Sequence, residues 1–173
     1  DFLFVFPSSK SLSTENERAV LQSAAQQPYR RLRQSGNPSI GIDKIRELRH
    51  VCSLKPMEKF RVIIIAEADK MTIEAANSLL KILEEPPAFT YLILTTARMN
   101  TLLPTIVSRC QHVHFGLLAD AAIEKRLSEE HNLSEQDAQR IARISQGNFR
   151  RALDWLEEDL EQRQNDALTL LRS

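Results

Sequence analysis

The sequence predicts an α/β fold, a parallel sheet with flanking helices, followed by a small all-helical domain. Three observations predict it. Val62-Ile63-Ile64-Ile65 is an apolar β-branched run without alternation, the pattern of a strand covered on both faces of a parallel sheet. Short apolar segments alternate with helix-period segments as far as Phe115, in the rhythm strand, helix, strand. After Gly116 the periodicity is helical throughout and no strand pattern returns. The expected boundary lies near residue 117, giving an α/β domain over 1–117 and a helical lid over 118–173.

Taken in order, Phe2 to Phe6 is aromatic and β-branched and stops at Pro7, which predicts a buried strand. Leu12 to about Gln27 predicts a helix with a thin apolar side of Ala19, Val20 and Ala24. Pro28 to Ser39 is basic and broken by Gly36 and Pro38, hence a loop. Ile42, Ile45, Leu48, Val51 and Cys52 recur at three- and four-residue steps, the stripe of a helix laid on a sheet, with Asp43 as its expected N-cap. Arg61 to Ala66 is the second strand. Thr72 caps the next helix, which turns Ala76, Leu79, Leu80 and Leu83 inward and ends at Pro86-Pro87. Tyr91 to Thr95 is a strand, Leu103 to Arg109 a brief helix, and Gln111 to Phe115 a further strand. Beyond these, Ala119–His131, Glu135–Ser145 and Asn148 to about Leu171 are helical. Ser134 with Asp137 forms a capping-box variant, and Gly147 makes the break.

Composition narrows the function classes. Lysine plus arginine and aspartate plus glutamate both number 23 in 173 residues. A neutral chain is poorly suited to hold DNA alone through counterion release. No apolar run approaches the roughly 20 residues that span a bilayer, and Phe2–Phe6 is too short, and lacks the basic flank, for a secretory signal. Cys52 and Cys110 are far apart and stand at no metal-binding spacing, so they read as reduced thiols of a cytoplasmic protein. His112 and His114 share one face of the expected strand, but two ligands without a third do not make a metal site.

Ligands of open parallel sheets bind beyond the carboxyl ends of the strands. Glu67 and Asp69 follow one strand, Thr95 and Thr96 end the next, and Arg109 stands just before Gln111–Phe115. Carboxylates there hold a metal or orient a water, and threonines hydrogen-bond phosphate. Equally, such carboxylates belong to solvated loops, threonine at a strand end reflects β propensity, and a lone arginine is a surface cation. Arg30-Arg31-Leu32-Arg33 reads as a solvated basic loop or as a contact for DNA or a partner. On the residues alone both sets of readings stand.

Five segments together resemble the clamp-loader subunits of the AAA+ family. RVIIIAEAD, Arg61 to Asp69, resembles a Walker B strand. AANSLLKILEEPP, Ala75 to Pro87, resembles the helix that follows Walker B in clamp loaders. LTT, Leu94 to Thr96, is similar to a sensor 1 strand, and LPTIVSRC, Leu103 to Cys110, to the clamp-loader Ser-Arg-Cys motif. GNFRRAL, Gly147 to Leu153, falls where the sensor 2 helix of the lid begins. Asp1-Phe2 before a strand and IGIDKIREL, Ile40 to Leu48, resemble the delta-prime class of subunit more than the gamma/tau motor class. Ala66 points the same way, because a motor carries there the aspartate that helps hold magnesium, and alanine offers no oxygen.

The resemblance implies a DNA-replication subunit that acts beside gamma/tau and delta on the sliding clamp and primed DNA, in the cytoplasm and without a membrane. Arg109 would be an arginine finger entering a neighbour's ATP site, with Ser108 and Cys110 positioning it. Glu67, Asp69, Thr95, Thr96 and Arg150 would be vestiges of a nucleotide site. The chain would not hydrolyse ATP alone, though it would belong to a nucleotidyltransferase holoenzyme. No GxxxxGK[ST] loop occurs in these residues, hence no amide cradle for phosphates. No cofactor is expected in this stretch: the ATP is the neighbour's, and the family's zinc cluster and Walker A loop would precede residue 1, as its collar domain would follow the lid. In AAA+ sheets the first strand runs between the sensor 1 strand and the strand after Ser-Arg-Cys. Without it, Tyr91–Thr95 and Gln111–Phe115 would flank a slot. Unpaired buried backbone groups cost about 1–3 kcal/mol each, so these strands are expected to close on each other or to receive another chain. The alternatives are a gamma/tau-like motor and a purely structural interaction domain.

Overall fold

The structure is a computed structural model that describes residues 1–8, 22, 37–56 and 58–158. The expected helix over 12–27, apart from Gln22, and the basic segment 30–33 lie outside the described residues. The described residues up to His112, Gln22 apart, form one compact unit, and those from Val113 form a second.

The first unit is built on a three-stranded parallel sheet in the order β1 (Phe2–Val5), β2 (Arg61–Ile65), β3 (Thr90–Leu94). The register aligns Phe2 with Val62 and Tyr91, and Leu3 with Ile63 and Leu92. Two helices cross between the strands, α1 (Ile42–Ser53) and α2 (Ile73–Glu84). Successive right-handed crossovers in one direction along a sheet put both helices on the same side. Their buried residues Ile45, Leu48, Ala76 and Leu79 accordingly share one core with Ile63 and Ile65, both fully buried. A short helix, α3 (Pro104–Val107), opens on Pro104, whose missing N–H costs nothing at a first turn, and adds Ile106 to this core.

Among the described residues, that one-sided packing corrects the expectation that β2 is covered on both faces. Val62 and Ile64 are only half-buried, and their row neighbours Phe2, Tyr91 and Ile93 are exposed. An uninterrupted apolar run reports the absence of a polar face, not the presence of a cover.

The ends of the elements follow local chemistry. Thr72 Oγ1 accepts the Ala75 N–H at 3.2 Å, the expected cap of α2. The N-cap of α1 is Gly41 and not Asp43, which lies inside the first turn. Ile40 sets this start earlier: its N–H donates to the Lys70 carbonyl at 3.0 Å and its carbonyl accepts the Thr72 N–H at 3.0 Å, so the chain is held extended up to Gly41.

At the amino end of the strands, Arg61 is a buried charge at the foot of β2, its side chain 3% exposed. Its Nη1 donates to the carbonyls of Val51 and Leu54 at 2.7 and 3.2 Å, and its Nη2 to Asp1 Oδ2 at 3.1 Å. A cation at the C-terminal carbonyls of α1 also meets the negative end of the helix dipole. Next to it the Cys52 thiol is buried, which pushes its pKa up against the opposing pull of Arg61.

The expected strand over Gln111–Phe115 is not formed. These residues are irregular and exposed, Val113 at 72% and Phe115 at 87%. A strand exists only in hydrogen bonds to a neighbour, and among the described residues β3 pairs on one side alone, with β2. The expected closure of the two strands on each other is therefore not what this chain adopts.

The second unit is helical: α4 (Asp120–His131), α5 (Glu135–Ser145) and α6, residues 149–158. Ile123, Leu127, Ile141, Phe149 and Leu156 form its core. Ser134 caps α5 reciprocally, accepting the Asp137 N–H at 3.2 Å while its hydroxyl donates to Asp137 Oδ2 at 2.9 Å. The break after α5 uses two left-handed residues, Gln146 (φ 54°) and Gly147 (φ 75°). Only glycine fits the second: a Cβ there would stand 2.7 Å from Leu117 Cβ and 2.8 Å from the Leu118 carbonyl oxygen. That close approach lets Leu118 N–H donate to the Gly147 carbonyl at 2.9 Å.

Candidate functional site

The carboxyl ends of β2 and β3 lie side by side, and their hydrogen bonds continue past the strands. Thr95 N–H donates to the Ile65 carbonyl at 3.0 Å, and Ala68 N–H to the Thr95 carbonyl at 2.8 Å. This brings Glu67, Asp69, Thr95 and Thr96 into one cluster. Ala66, at the end of β2, brings no side-chain oxygen to it. Glu67 is left-handed (φ 50°), a conformation that costs a non-glycine residue of order 1–3 kcal/mol. The turn is held by the Glu67 N–H, donated to Thr95 Oγ1 at 3.3 Å, and by a 2.7 Å ion pair of its carboxylate with Lys70.

Asp69 is the best-anchored group of the cluster, its side chain 6% exposed. Thr96 Oγ1 donates to Oδ1 at 2.8 Å, and Arg98 donates to Oδ2 from Nε at 3.1 Å and Nη2 at 2.8 Å. Thr96 Oγ1 in turn accepts the Arg98 N–H at 3.0 Å. Burial by itself would raise the Asp69 carboxyl. The hydrogen bonds from Arg98 and Thr96, with a backbone hydrogen bond and the Arg98 charge, outweigh it and hold the pKa below the usual carboxylate value. Asp69 is thus committed to tying the turn after β2 to the turn after β3. Arg98 was not legible as a site residue, since a lone arginine in a polar loop carries no local signal.

Arg109 sits elsewhere in the same unit, beyond the C-terminus of α3. Its Nη1 donates to the Thr105 carbonyl at 3.0 Å and, more weakly, to Ser108 Oγ at 3.5 Å. Its Nη2 donates to Glu84 Oε1, in the last turn of α2, at 2.9 Å. The Arg109 side chain remains 36% exposed. Of its five N–H hydrogens, the Nε–H and one on Nη2 find no acceptor among the described residues. Ser108 also donates to the Thr105 carbonyl at 3.2 Å. Cys110 is half-buried against the sheet core, which raises its thiol pKa and leaves it an anchor, not a nucleophile. Glu84 was readable within LEEPP at Leu83–Pro87, but its pairing across 25 residues was not. It also lines an open cleft of about 390 Å³ between α1 and α2, walled by Arg49, Cys52, Lys81 and Ile82.

Arg150, the fifth residue read as part of a nucleotide site, belongs to the second unit. It lies in the first turn of α6, half-buried, with its Nε enclosed and without a hydrogen-bond partner among the described residues.

Comparison with known proteins meets this geometry from outside. Residues 2–119 match the protein family described as DNA polymerase III, delta subunit. The delta' subunit of DNA polymerase III from Bacillus subtilis is 45% identical over 93 residues, 53% of this chain and 28% of that protein. The tau subunit from the same organism is 35% identical over 124 residues, 68% of this chain and 22% of that protein. The chain thus spans about a quarter of the length of these two relatives. The RuvB Holliday junction branch migration motor of Thermotoga maritima superposes with a TM-score of 0.52 at 16% identity, over 99% of this chain and 56% of that one, a likeness of fold. The parallel sheet with flanking helices is of the AAA+ type. A match over residues 2–119, from β1 past Arg109, shows that the chain belongs to the DNA polymerase III, delta subunit family.

Proposed function

We propose that this chain is part of a delta-prime-like subunit, which helps load the sliding clamp onto primed DNA by offering Arg109 to the ATP site of a neighbouring subunit. In the proposed role the subunit works in the cytoplasm with gamma/tau and delta, binds no nucleotide through this stretch and does not hydrolyse ATP itself. The observation that carries the reading is the state of Arg109: fixed at two points, exposed, and with two N–H donors uncommitted among the described residues. A planar guanidinium is suited to the charge that develops on phosphoryl oxygens during transfer. The strand-end cluster supports a non-motor subunit. Ala66 supplies no metal ligand, and the Asp69 oxygens are occupied by Thr96 and Arg98.

The gamma/tau-like motor is the second reading, favoured by the longer alignment to tau. Nucleotide binding and turnover by the isolated full-length protein separate the two. The primary test is Arg109→Ala in the full-length protein, reconstituted with its partner subunits. Arginine fingers contribute about 10³–10⁵ in rate in other NTPases, so ATP turnover of the assembly is expected to fall at least about tenfold while the assembly elutes unchanged. Unchanged turnover would sink the role of Arg109 and leave an interaction domain.

A further inference from the structure

We infer that Glu84 is the positioning residue for Arg109, an inference that rests on the role proposed for that arginine. The pair joins two elements. Thr105 and Ser108 hold Nη1 from the short helix that carries Arg109 itself, and Glu84 holds Nη2 from the end of α2. One anchor alone would leave the long side chain free to rotate about it. Two anchors on different elements fix the guanidinium plane relative to the sheet core, because α2 and α3 both contribute to that core through Ile82 and Ile106.

What the two anchors leave unused matters as much. The Nε–H and the second Nη2 hydrogen remain, and they suit an anionic oxygen approaching from solvent. The anion therefore does not have to displace Glu84. It meets a guanidinium whose rotamer freedom has already been lost, and ordering of flexible groups is among the main costs of association. The chemistry that fits is a terminal phosphoryl group presented by a neighbouring subunit.

Glu84 also has a specific sequence position. It is the first of the two glutamates before Pro86-Pro87, which stop α2 at Glu84 with Glu85 as its C-cap. A carboxylate at a helix C-terminus is opposed by the helix dipole. Its presence in the last turn has a local reason in the cation it meets.

The experiment uses the reconstituted assembly, with Glu84→Gln, Glu84→Asp, Arg109→Ala and the double variant Glu84→Gln/Arg109→Ala in the full-length protein. Exposed ion pairs couple weakly, so Glu84→Gln is expected to lower kcat for ATP about two- to fivefold with KM unchanged. Glu84→Asp, which keeps the charge, restores part of that loss, and all variants elute in the intact assembly. In the Arg109→Ala background, Glu84→Gln produces no further change. A loss of the same size in that background would show a structural role for Glu84 and overturn the inference. Unchanged or faster turnover for Glu84→Gln, with Arg109→Ala impaired, would overturn it too and leave the finger role standing. No effect of Arg109→Ala would instead remove the parent reading.

Discussion

Replacing Arg61 with methionine tests how this small sheet is held to its first helix. The substitution keeps most of the volume and deletes three charge-assisted hydrogen bonds, to the Val51 and Leu54 carbonyls and to Asp1 Oδ2. Breaking a buried pair by removing one partner costs about 3–5 kcal/mol. Two features pull the value toward the lower end: Asp1 is 18% exposed and keeps some hydration, and the Val51 carbonyl retains the Leu54 N–H at 3.2 Å. The expected loss is about 3 kcal/mol, a large share of the roughly 5–15 kcal/mol by which domains are stable. Urea unfolding followed by far-UV circular dichroism measures it. With slopes of about 1–3 kcal/mol per molar urea, the midpoint should fall by at least about 1 M. Arg61→Lys keeps the charge but cannot reach both carbonyls and Asp1 from one planar fork, so it should fall between the two. A loss below about 1 kcal/mol for Arg61→Met would refute the reasoning, since that is the worth of an exposed pair.

Asp69 gives a pH dependence of defined sign. Its folded pKa is lowered, so the stability it contributes is full above the unfolded value of about 4 and is lost as pH falls through the folded pKa. Asp69→Asn should therefore flatten the stability profile between about pH 5 and 3, measured as urea midpoints against pH; parallel profiles would contradict it. At Gly147, a Cβ meets backbone and side chain below 3 Å at a φ of 75°. Gly147→Ala should destabilise the helical unit by about 2 kcal/mol or more, from left-handed strain of about 1–2 kcal/mol plus overpacking. The loss is readable by the fluorescence of Trp155 in α6, the sole tryptophan of the chain, and an unchanged transition would show that the Leu117–Leu118 segment simply moves aside.

The fold was legible wherever one segment contained its own signal. The β-branched run at Val62–Ile65, the stripes of α1 and α2, the caps Thr72 and Ser134 and the break at Gly147 are each contained within a few residues, and each is where the sequence puts it. What failed depended on partners distant in the chain. Among the described residues Gln111–Phe115 has strand composition but no neighbour to bond, and one face of β2 lacks full cover despite its apolar residues. Gly41 displaced Asp43 as the cap of α1 because Lys70 and Thr72, some thirty residues on, hold Ile40 extended. The site shows the same division. Residue types at strand ends pointed to Glu67, Asp69, Thr95, Thr96 and Arg109, whereas the pairings that fix what they do, Asp69 with Arg98 and Arg109 with Glu84, span 29 and 25 residues.

Among the described residues Thr90–Leu94 forms the margin of the sheet, and on the open face beside it Tyr91 packs edge to face with Phe60, ring centroids 6.1 Å apart. A margin of this kind is adhesive. It recruits other extended segments unless something shelters it, and greasy rings beside it strengthen the grip. For anyone purifying this stretch, lysine introduced at Tyr91 or Ile93 is the rational way to keep it dispersed, because neither side chain belongs to the packed side of the sheet.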